Sequence, residues 1–79
     1  MRVSYPDLTE LQVLIGDKGI AVLLDDATRL IPDDSEDYTI TSDCETVDGE
    51  AALVTVKYLK QDGVMTAVEY DIELVTEEL

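Results

Sequence analysis

With 79 residues, the chain has room for one acidic domain with one core, expected to span residues 1–79. Nineteen Asp and Glu against five Lys and Arg, with no histidine, give a formal charge of -14, while 46% of the residues are hydrophobic. Disordered chains of such charge lack apolar residues, so the composition excludes disorder. The charge excludes direct binding to nucleic acid or to anionic membranes, which an acidic surface repels.

No stretch approaches the roughly 18 apolar residues that cross a bilayer. The N-terminus, Met1-Arg2-Val3-Ser4-Tyr5-Pro6-Asp7, lacks the apolar centre of a secretion signal. The single cysteine, Cys44, has no partner for an internal disulfide, in keeping with a reducing compartment. A cytoplasmic, soluble protein is the resulting expectation.

In chain order, Val3 and Tyr5 suit a short edge strand. Residues 7–31 then follow a helical period. Leu8, Leu11, Leu14 and Ile15 share one face, as do Ile20, Leu23, Leu24, Ala27, Leu30 and Ile31. Asp7 is placed to cap the first helix, with Glu10 three residues on. Gly16 ends that helix, Asp17 or Gly19 begins a second, and Pro32 stops it. A β-hairpin competes for residues 9–25. Leu11, Val13 and Ile15 alternate, as do Ile20, Val22 and Leu24, around Gly16-Asp17-Lys18-Gly19. The apolar pairs Leu14-Ile15 and Leu23-Leu24 favour helices.

Residues 33–37 read as a polar loop, after which the period becomes two. Strands are expected at about 38–46, 50–60 and 64–75. In the last, Val64, Val68, Tyr70, Ile72 and Leu74 point one way and Glu69, Asp71 and Glu73 the other. Three-residue loops at Val47-Asp48-Gly49 and Gln61-Asp62-Gly63 align the apolar faces, setting Val56 between Ile40 and Val68. A two-residue loop at Asp62-Gly63 would instead set Val56 against Glu69. The expected fold class is α+β: two short N-terminal helices (or a hairpin) packed on a three-stranded antiparallel meander.

The chain offers little to catalysis. Without histidine the usual base near neutral pH is missing, and so is the commonest metal ligand. The phase of Cys44 puts it in the core, with no activating partner. Asp33, Ser35 and Asp37 alternate as in a calcium loop, but Tyr38 stands where glycine is needed and Cys44 where a glutamate belongs. No catalytic residue, metal site or cofactor is expected, and the reading is not an enzyme.

The acids remain. Asp43, Glu45, Glu69, Asp71 and Glu73 are expected on the solvent face of the sheet, offset by Lys57. Outward residues on a strand lie about 6.7 Å apart, near twice the roughly 3.4 Å spacing of phosphates along one DNA strand. Solubility alone needs a net charge of only about 2 to 8 in magnitude. In size, charge and fold class the chain is similar to the small acidic inhibitors with which phages and mobile elements block host defence and repair enzymes. It is the excess of acids and their row on the sheet that point to a nucleic-acid mimic, a small acidic binding protein that occupies the basic groove of a nucleic-acid-binding protein. Two alternatives stand beside it: a domain adapted to molar salt, which shortens screening to about 3 Å, or a structural or toxin-neutralising partner. A homodimer through a sheet edge is compatible with each.

Overall fold

The computed structural model describes residues 3–7 and 9–75, so Leu8 lies outside the described residues. Its elements are β1 (Val3–Ser4), α1 (Thr9–Leu30), β2 (Asp37–Glu45), β3 (Ala51–Gln61) and β4 (Val64–Leu74). The strands form one sheet in the order β1-β4-β3-β2. The class is α+β, as expected, but the three-stranded antiparallel meander becomes a four-stranded mixed sheet, because β1 pairs parallel to β4. Val3 packs against the core beside the start of β4. Pro6, which has no N–H, cannot continue that ladder.

α1 is one span in which two helical segments meet across a break at Gly16, the residue expected to end the first helix, and the hairpin reading falls. The helix is described from Thr9 onward, and the capping expected of Asp7 turns on Leu8, which lies outside the described residues. At Gly16 the backbone turns to φ 67°, ψ -175°, a region open in practice to glycine alone. Leu14 lies two residues before this break, and its carbonyl accepts a hydrogen bond from the Val47 N–H at 2.9 Å. A Cβ on residue 16 would lie 3.1 Å from Val47 Cγ1. The β2–β3 loop therefore docks on the kink, and the fit depends on glycine.

Every fourth helical position is buried: Leu11, Ile15, Gly19, Leu23 and Ala27, followed by Ile31. Four residues overshoot a full helical turn by about 40°, so this stripe winds around the helix. Leu14, Leu24 and Leu30, expected on the apolar face, fall beside the stripe and are exposed. Beneath α1, Ile40, Cys44, Val54, Val56, Tyr58, Met65 and Ala67 complete the core.

The two Asp-Gly turns differ. Between β2 and β3 the three-residue loop holds: Thr46 N–H bonds to the Glu50 carbonyl at 2.8 Å, and Gly49 has φ 88°. Ile40 sits opposite Val56 and Cys44 opposite Ala52. Between β3 and β4 the loop has two residues, Asp62 at φ 52° and Gly63 at φ 78°, so Gln61 pairs with Val64. These paired positive angles suit the right-handed twist of a tight hairpin. Left alone, this turn would bring the acids of β4 to the core. The ladder shifts between Lys57 and Tyr58 instead, leaving Val68 as an extra residue on β4. Val56 therefore faces Tyr70, not Val68. Met65 and Ala67 take the core side before the bulge, while Tyr70 and Ile72 take it afterwards. Val64 and Val68, expected on the apolar face, do not contribute to the buried core.

Candidate functional site

The helix covers one face of the sheet, and among the described residues no element covers the other. Period-two alternation places exposed Asp37, Asp43 and Glu45 from β2 on the open face, with Lys57 from β3 and Glu69, Asp71 and Glu73 from β4. All five acids expected there thus share one surface. Asp37 is a sixth. It falls in the stretch expected to be loop, but β2 begins one residue earlier than its apolar alternation suggests.

Register sets the spacing. Asp43 lies across Leu53 from Glu73, and Thr41 lies across Thr55 from Asp71. With adjacent strands about 4.8 Å apart, the acids form two rails separated by roughly 10 Å. Between them, the Thr41 and Thr55 hydroxyls hydrogen-bond at 3.0 Å. Lys57 stands between Thr39 and Glu69. The ion pairs among the described residues lie on the helix instead, where Arg29 meets Asp25 at 3.3 Å and Asp26 at 2.7 Å.

Asp26 belongs to the scaffold. Its carboxylate accepts a hydrogen bond from the buried Ser42 hydroxyl at 2.7 Å, tying α1 to β2. Nearby, the Tyr5 and Tyr58 hydroxyls hydrogen-bond at 2.8 Å, with their rings edge to face at 5.9 Å. Burial pushes both phenols above their ordinary range. Burial also raises the Cys44 thiol, helped by the negative charges of Asp26 and Asp43. Its thiolate is therefore scarce near neutral pH.

Among the described residues, no cluster of His, Cys, Asp and Glu is placed to hold a metal ion, and no helix is long and apolar enough to cross a membrane. The open face can present a fixed pattern of negative charge to a solute or partner, with Leu53 and Leu59 as half-buried apolar ground between the rails. No family model matches the chain, and neither a curated protein nor a solved structure matches it.

Proposed function

We propose that this is a small acidic binding protein whose open sheet face occupies a basic groove on a nucleic-acid-handling protein, in the manner of an inhibitor that mimics nucleic acid. The observation that carries the reading is the pair of acidic rails, Asp43 and Glu45 on one side and Glu69, Asp71 and Glu73 on the other, with Lys57 the one base among them. Carboxylates held by a sheet need less ordering on binding than those on a loop, which leaves more of their attraction to the partner as affinity.

Capture of partners from lysate at low and high salt tests it. The captured proteins should be nucleic-acid binders, and Glu69→Gln, Asp71→Asn and Glu73→Gln together should weaken capture by about 1–3 kcal/mol. A control replacement of Asp33, Asp34 and Glu36 removes equal charge from the loop before β2. Asp37 is kept out of the control because it lies on the open face. Equal losses from both triples would leave overall charge as the only determinant.

One observation favours a second reading, adaptation to a salty habitat: exposed acids also occupy the loops, at Asp33, Asp34, Glu36, Asp48 and Glu50. Such a protein should lose its cooperative thermal transition at low salt, whereas a mimic stays folded near 0.15 M.

A further inference from the structure

β4 has an open edge. β1 pairs with it only at Met65 and Thr66, and beyond them no described strand lies beside Ala67–Leu74. The Val75 N–H donates to the Ala51 carbonyl at 3.0 Å, so after the bulge Glu69, Asp71 and Glu73 bond to β3. The N–H and C=O groups of Tyr70, Ile72 and Leu74 consequently point to the open edge. Alongside runs a groove whose far wall is Pro6, Asp7, Glu10, Leu11 and Leu14. Tyr70 lines it and carries a buried hydroxyl with no hydrogen-bond partner.

The other free edge, on β2, also flanks a hollow, between Asp43–Val47 and the helix from Ile15 to Val22, but the helix-side residues of that strand, Ile40, Ser42 and Cys44, are already buried. On β4 the helix-side residues are less covered: Ile72 is half-buried, while Leu74 is 50% and Leu14 40% exposed.

We propose that the edge of β4 from Tyr70 to Leu74 takes up, as an added strand, an extended segment of a partner protein in which basic and apolar residues alternate. An added strand points successive side chains to opposite faces of the sheet. One set lies beside Glu69, Asp71 and Glu73 and is basic by charge complementarity. The other enters the groove against Ile72 and Leu14, where Asp7 and Glu10 favour a basic end. A second copy of this chain is disfavoured as occupant, since it would lay its own Glu69, Asp71 and Glu73 beside these. The identity of the basic side chains rests on the acidic-face reading, whereas the edge itself does not.

A short synthetic peptide alternating Lys and Val, and its isomer with the lysines in one block, test this against the intact protein by backbone amide NMR and titration. The alternating peptide should bind about tenfold more tightly and protect the amides of Tyr70, Ile72 and Leu74 from exchange. N-methylation of the peptide residues that face β4 should abolish that protection, while methylation of the others should leave it, with the protein unaltered in both cases. Equal binding of the two isomers, protection on β2 instead, or dimerisation that blocks the edge would each overturn the proposal. Edge protection that survives Glu69→Gln, Asp71→Asn and Glu73→Gln would support edge docking while removing the acidic-face reading, so the two fail separately.

Discussion

Val54 and Leu53 are neighbours on β3, yet Val54 is fully buried under α1 while Leu53 lies half-buried between Asp43 and Glu73. The same contrast runs through the whole sheet. On the covered face, apolar area removed from water contributes stability at about 25 cal/mol per Å², and one buried hydroxyl, Ser42, is satisfied by Asp26. On the open face, like charges face water, where at the spacing of the rails their repulsion is well screened. Stability and surface chemistry therefore rest on different residues of the same strands.

The hardest test of that division is a matched pair of truncations. Leu23→Ala, at a residue 2% exposed in the core, should cost about 2–5 kcal/mol by chemical denaturation, including the cavity it leaves. Leu53→Ala on the open face should cost under about 1 kcal/mol, since its site can stay wet. Comparable losses would erase the distinction between the faces.

Gly16→Ala comes next, at roughly 1–3 kcal/mol, from backbone strain and from crowding of Val47. Helix and hairpin should loosen together, which amide exchange at Leu14 and Val47 would register. Tyr5→Phe is smaller, at about 1 kcal/mol, for the hydrogen bond lost to Tyr58. It also sharpens the pH dependence. Both phenols are raised above their ordinary 10.0, so they resist ionising in the folded state. Their contribution should be whole below pH 10 and lost as pH rises through the folded values. Denaturation at stepped alkaline pH should show that loss, shallower in the variant.

The smallest effect belongs to the rails. Glu69→Gln, Asp71→Asn and Glu73→Gln together should leave stability unchanged or raise it by up to about 0.5 kcal/mol, because the carboxylates repel one another and support nothing. A cooperative melt at lower temperature would contradict the independence of the two faces.

Much of this was legible from alternation. The apolar period of β2 and β3 and the Asp48-Gly49 turn sufficed to pair Ile40 with Val56. The outward direction of Glu69, Asp71 and Glu73 was also readable, although the register behind it was not. A three-residue turn, and a two-residue turn followed by one extra residue, leave the late part of β4 with the same face outward. Hydrophobic pattern cannot separate them, so Val68 was assigned a core role that Met65 and Ala67 hold. In the helix, adjacent apolar pairs hid which member is buried. Leu23 is covered and Leu24 is not, because the stripe advances by four residues and drifts. The open β4 edge lay beyond sequence reading, since it depends on a parallel β1 that ends at Ser4, two residues before Pro6.

The bulge at Val68 has a consequence for insertions and deletions. Removing that one residue would leave an unbulged two-residue hairpin in which Glu69 follows Ala67 opposite Lys57 and every later side chain keeps the face it now has. Straightening the strand with Val68 still in place would instead set Glu69 opposite Val56 and carry Glu69, Asp71 and Glu73 under the helix. Lineages of this protein should therefore include chains one residue shorter between Ala67 and Glu69, with Glu69, Asp71 and Glu73 still facing outward.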